Sequence, residues 1–156
     1  MEAIGVDVFE QPLSAHDLLG HAKLRESTTV SIALDESIWT PEDVIRAVQL
    51  EACDAVVIKV TKMGGLLPAK RCGEMAQAAG LELLGGGLTE SSLAFYASAH
   101  LFHVLRIQSP VDLNGPLYLA DDPSREKANV YKGKVSLPKG VGIGWEVDEE
   151  KLRQYG

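Results

Sequence analysis

Apolar residues gather in five short runs, over residues 6–9, 30–34, 55–60, 81–84 and 103–107. Their starts lie about 25 residues apart, the length of one strand, one helix and two short loops. Between the runs the apolar spacing is helical, and the ends of the helices are marked. Thr40-Pro41-Glu42-Asp43 places a capping hydroxyl, a first-turn proline and two carboxylates where a helix should begin. That helix is predicted over 40–51, with Val44, Ile45, Val48 and Leu50 as its apolar positions. A second is predicted over 66–79, closed by Gly80, and others over 14–26 and 91–102.

Five strand–helix units in succession imply parallel strands joined by crossover helices. The candidates are an open doubly wound sheet or part of a TIM-type (β/α) barrel. Side-chain alternation favours the barrel. Ser31, Ala33 and Asp35 share one face of the second run, and Ile32 and Leu34 share the other. A small, polar face suits a crowded barrel interior, and an apolar face suits covering helices. After residue 107 the pattern changes. Residues 109–124, rich in Pro, Asp and Asn, read as a long loop, 130–135 as a small hairpin and 148–155 as a short terminal helix. The expected division is a barrel part over 1–128 and a C-terminal tail over 129–156 packed on it.

Composition narrows the function classes. The chain has 156 residues, 46% of them apolar and 24% charged, the balance of a globular protein. The formal charge is −7 and the positive residues are scattered, which argues against a nucleic-acid surface. No apolar run has the roughly 20 residues that a membrane helix needs, so no membrane partner is expected. The first residues carry no basic segment followed by an apolar one. With two isolated cysteines, Cys53 and Cys72, this reads as a cytoplasmic protein with reduced, packed thiols.

Polar residues stand where strands end, the place where parallel α/β folds build their sites. The first run closes on Glu10 and the second on Asp35; the third carries Lys59, followed by Lys62. Two carboxylates on neighbouring strand ends repel unless a cation or proton intervenes. All-oxygen ligation would suit Mg²⁺; helix capping or pairing with lysines is the other reading. Lys59 shares a face with Val57 and should point inward. Beside another cation its pKa would fall and it would act as a base; an ion-paired lysine is the alternative. Gly85-Gly86-Gly87 has no basic residue close behind it, which favours tight backbone packing over a phosphate cradle. His100 and His103 are expected in packing or at the surface, and His16 and His21 at the surface.

These residues together resemble a family. Phe9-Glu10-Gln11-Pro12, Leu34-Asp35-Glu36-Ser37, and Asp54 through Lys59 with Lys62-Met63-Gly64-Gly65 look like barrel strands four to six of the enolase superfamily. The branch resembled is the muconate-lactonizing, mandelate racemase-like one. It includes cycloisomerases, dipeptide epimerases and o-succinylbenzoate synthases. Glu10 precedes Asp35 by 25 residues, and Asp35 precedes Lys59 by 24. Gly86 through Ser91 looks like strand seven, and Asp112-Leu113-Asn114-Gly115-Pro116 like the loop after strand eight.

The resemblance implies strands four to eight of an eight-stranded barrel, without the N-terminal capping domain and first strands. It implies Glu10 and Asp35 as two of three Mg²⁺ ligands, with Mn²⁺ as a substitute. Lys59 and Glu90 would be the catalytic residues, and Asp112 and Lys62 would contact a small carboxylate substrate. The implied activity is abstraction of a proton alpha to a carboxylate through an enediolate, as in a muconate cycloisomerase. A dipeptide epimerase or an o-succinylbenzoate synthase is the alternative within the family. Dipeptide epimerases carry two aspartates after strand eight; here Asn114 stands at the second place. From another class comes a catalytically inactive remnant. The expected assembly is a homo-oligomer, because a partial barrel leaves strand edges unpaired.

Overall fold

The computed structural model describes residues 2–155. Four strands, β1 (Val8–Glu10), β2 (Ser31–Leu34), β3 (Ala55–Ile58) and β4 (Glu82–Gly85), form one sheet in the order β1-β2-β3-β4. Every pairing is parallel, with Glu10 opposite Ala33, Ala33 opposite Ala55 and Ile58 opposite Gly85. Helices α1 (Leu18–Glu26), α2 (Pro41–Gln49) and α3 (Leu66–Ala78) connect successive strands, and α4 (Ser92–Val104) follows β4. Ile32 and Leu34 are buried, as are Val56 and Ile58. The core runs from Leu34, Val56 and Ile58 through Val44, Ala47, Ala69, Cys72 and Ala76 to Phe95 and Phe102.

The helices form where their ends specify. Thr40 Oγ1 accepts from Asp43 N (3.3 Å) while Asp43 Oδ2 accepts from Thr40 N (3.0 Å), a reciprocal cap with Pro41 in the first turn. Helix α2 buries Val44 and Ala47, while Ile45, another of its apolar positions, is exposed. Helix α3 stops before Gly80, whose φ of 82° reverses the chain at no steric cost. Helix α1 starts later than Ser14, because Asp17 takes the cap and accepts from Gly20 N at 2.8 Å. His21 is not a surface residue. It is 0% exposed, with Nδ1 2.7 Å from Asp17 O and Nε2 accepting from Leu13 N at 3.3 Å. His16 is exposed.

The fifth apolar run is not a strand. Residues 103–107 are the last turn of α4 and its exit, where Leu105 caps the helix and Arg106 takes a φ of 55°. Phe102 and Leu105 are buried while Val104 is exposed, so the run is one helical face and the strand-like appearance was only local. The sheet continues instead through a single parallel bridge, Gly86 to Asp112, with Asp112 N donating to Gly85 O at 3.0 Å. The loop that follows contains a short helix, α5 (Gly115–Tyr118).

Ile143 and Trp145 of the C-terminal segment lie against α4, while Lys151 and Tyr155 bond to Asp121. The Trp145 ring is 4.4 Å from that of Tyr96, and His100 Nε2 is 3.0 Å from Ile143 O. Tyr131 and Lys134 exchange backbone hydrogen bonds around Lys132 and Gly133, both with positive φ, the turn a tight hairpin uses. The last helix, α6 (Glu149–Arg153), is capped by Asp148. No helix among the described residues is long and apolar enough to cross a membrane.

Candidate active site

Three side chains from consecutive strand ends meet. Glu10 ends β1, Asp35 follows β2 and Lys59 follows β3. Asp35 is 2% exposed and is the centre of the cluster. Its Oδ2 accepts from Lys59 Nζ at 2.5 Å and its Oδ1 from Lys62 Nζ at 2.6 Å. Lys62 also donates to the Asp35 carbonyl at 2.6 Å. Burial pushes the Asp35 carboxyl up, and the hydrogen bonds from the two lysines more than reverse this, so it ends below the usual carboxylate range. Glu10 goes the other way: burial, then the charge of Asp35, raise it. The two carboxylates are in the electrostatic conflict expected of them, and lysines relieve it at Asp35.

The lysines differ. Burial lowers Lys59, but the hydrogen bond and charge of Asp35, with Glu10 behind it, leave it above its ordinary value. The depressed pKa expected at Lys59 is found at Lys62 instead, where burial outweighs the same carboxylate. Depth is the reason: the Lys62 side chain is 5% exposed and that of Lys59 is 14%.

Gln11 holds this end of the sheet together, which sequence reasoning missed. With a φ of 40° it turns its amide toward β2, and Oε1 accepts from Asp35 N at 2.8 Å and Ser37 N at 3.3 Å. Its Nε2 donates to Ser37 Oγ at 2.8 Å. The only sign in the sequence is an amide side chain directly after a strand-end acid. A cleft of about 290 Å³ opens beside the cluster, lined by Asp35, Trp39, Lys59, Thr61, Lys62 and Leu88.

Glu90 is 6% exposed, its Oε1 hydrogen-bonded by the Thr61 hydroxyl. Its Oε2 is buried without a partner among the described residues. Thr61 thus ties the Glu90 carboxylate to the cleft that Asp35 and the lysines line. Gly115 passes so close to the Glu90 backbone that no side chain fits there. Asp112 reaches the sheet edge through its backbone, while its Oδ1 accepts from Asn114 Nδ2 at 2.8 Å. Its carboxylate is therefore held by its own loop. His100 and His103 join no metal cluster, and among the described residues no group of three or more His, Cys, Asp or Glu could hold an ion. Gly85, Gly86 and Gly87 pack closely against Phe102, Lys59 and Leu113.

Parallel strands in sequence order, helices between them and a polar cluster at the strands' C-terminal ends define a segment of a TIM-type (β/α) barrel. The family described as "Enolase C-terminal domain-like" matches residues 1–151, and the chain belongs to it. It is 32% identical over 152 residues to muconate cycloisomerase 1-1 of Acinetobacter lwoffii, covering 97% of this chain and 40% of that protein. It is 31% identical over 141 residues to L-Ala-D/L-Glu epimerase of Bacillus subtilis (strain 168), covering 90% and 38%. Among solved structures it matches a muconate lactonizing enzyme from Klebsiella pneumoniae with a TM-score of 0.92 and 36% identity, covering 98% of this chain and 43% of that one. The chain thus spans about 40% of the length of the curated relatives it matches.

Proposed function

We propose that this chain forms the C-terminal part of a Mg²⁺-dependent enolase-superfamily enzyme that abstracts a proton alpha to a carboxylate, in the manner of a muconate cycloisomerase. The observation that carries the reading is the meeting of Glu10, Asp35 and Lys59 on three consecutive strand ends. The two carboxylates fit a hard divalent ion, because both donate oxygen and Glu10 is raised by burial and by a repulsion that a cation would relieve. They would be two of its ligands, with Mn²⁺ as a substitute. When bound, the ion offsets negative charge that develops on a small carboxylate substrate.

The chain's own residues supply the rest. Lys59 Nζ carries a proton at the wall of the cleft and is the group placed to exchange it with substrate. Lys62, buried behind Asp35, keeps that carboxylate ionised and oriented. Glu90, anchored by Thr61 at the side of the cleft, is the second acid or acceptor in this reading, its Oε2 buried. Asp112, hydrogen-bonded by Asn114, would be a substrate contact in this reading. Asn114 in the place of a second carboxylate favours the cycloisomerase reading over dipeptide epimerisation.

A second reading is a non-catalytic remnant, favoured by one observation: both Asp35 oxygens are already neutralised by lysines. Calorimetric titration of Mg²⁺ into the chain and into Glu10→Gln separates the two. Saturable binding that weakens at least about tenfold in the variant supports the metal site. No binding to either supports the remnant.

A further inference from the structure

Three consecutive glycines, Gly85–Gly87, stand at the end of β4, and Gly86 is the one that lies against Lys59. A Cβ at Gly86 would lie 2.7 Å from Lys59 Cε, 3.0 Å from Val57 Cγ1 and 3.3 Å from Lys59 Cγ. At Gly85 the obstacles are Val111 and Phe102, and at Gly87 Leu113. Gly86 does not have the positive φ that favours glycine. Its backbone would accept any residue, so what requires glycine here is room. The register explains whose room it is. Ile58 pairs with Gly85, so Lys59 and Gly86 are lateral neighbours one step further along β3 and β4, and Gly86 N donates to Ile58 O at 3.0 Å.

We propose that Gly86 is a positioning residue for Lys59: its bare Cα is the surface along which the lysine stem lies, and that path aims Nζ at Asp35 and Glu10. A lysine has four rotatable carbons and loses much rotamer freedom when held in one geometry. Lys59 is anchored at its tip by Asp35 and at its root by the sheet. Between them the stem lies against Gly86. A methyl group there occupies the volume of Cε and drives the stem into another rotamer, carrying Nζ off Asp35. Lys62 reaches the same carboxylate from the loop after β3, is not among the atoms that a Cβ at Gly86 would meet first, and stays in place.

The inference rests on reading Lys59 as the proton-handling group, but its test measures Lys59 directly and needs neither Mg²⁺ nor turnover. Brief acetylation followed by peptide mass spectrometry gives the rate at each lysine, with buried Lys62 and exposed Lys132 as internal references. In Gly86→Ala the Lys59 rate should rise about tenfold against Lys62, with Lys132 unchanged. An unchanged Lys59 rate in the folded variant overturns the proposal. Thermal unfolding of Gly86→Ala with and without Lys59→Ala is the second measurement. The midpoint should fall in Gly86→Ala and recover when the lysine is also removed, even if the single variant does not fold. An equal fall in both backgrounds, or a double variant that stays unfolded, overturns it.

Discussion

Asp35 does more at the scale of single residues than any other side chain in the cluster. One carboxylate satisfies two ammonium groups, and both of those are largely out of water. Removing one partner of a buried ion pair leaves the other charge uncompensated, which costs about 3–5 kcal/mol. Asp35→Asn should therefore lower unfolding free energy by about 3 kcal/mol in urea titrations. Lys59→Met should cost clearly less, because Lys62 still neutralises Asp35. Equal losses in the two variants would sink the assignment of Asp35 as the shared counter-ion. The cysteines make a separate residue-scale prediction. Burial pushes the Cys53 thiol up to about 12 and the Cys72 thiol up to about 11. Neither should react with a disulfide reagent at pH 8 until the protein unfolds, as absorbance titration with and without denaturant would show.

At the scale of elements, the ends of helices carry the strongest local instructions. Thr40→Ala removes the reciprocal cap of α2 and should cost about 1 kcal/mol, read from the denaturation midpoint. Helix α4 is held differently, by a residue from a distant loop. Asp122 Oδ2 accepts from Ser92 N at 2.8 Å and Ser92 Oγ at 2.7 Å, and its Oδ1 from Ser124 N at 2.9 Å. Ser92 Oγ in turn accepts from Ala128 N at 2.7 Å, tying the loop to the helix. Burial alone would raise the Asp122 carboxyl, and these donors bring it below its ordinary value. A depressed carboxylate stabilises the fold above its unfolded pKa, about 3.9, and that contribution is lost as pH falls through the lower, folded value. Wild type should exceed Asp122→Asn in stability at pH 6, and the gap should narrow below about pH 4. A gap constant from pH 6 to pH 2 would count against this role. The helices over 40–51 and 66–79 were legible because caps are local. The true α4 end was not, since an apolar run that long fits a strand or a helical face equally well.

For the molecule as a whole, the open edge is the dominant fact. Strand β1 has a neighbour on one side only, so the edge of Val8–Glu10 that faces away from β2 has no strand beside it among the described residues. Such an edge is a template for another chain. Sedimentation of the isolated chain should show species heavier than one copy, in proportion that rises with concentration. A single monomeric boundary at every concentration would remove the homo-oligomer proposal.

The sequence by itself determined the first four strand–helix units, the parallel sheet that they require, and the placing of Glu10, Asp35 and Lys59 at successive strand ends. Each follows from local periodicity and from spacing along the chain, which are visible without coordinates. Only the tertiary structure decided how charge is shared among them. Lys62 became the lysine with the lowered pKa because it lies deeper than Lys59, and Gln11 became the brace of Asp35 because a left-handed turn aims its amide across the strands. His21 moved inside for the same kind of reason: neighbours from two segments close over it. Depth, and contacts between residues far apart in the chain, depend on packing that no local pattern encodes.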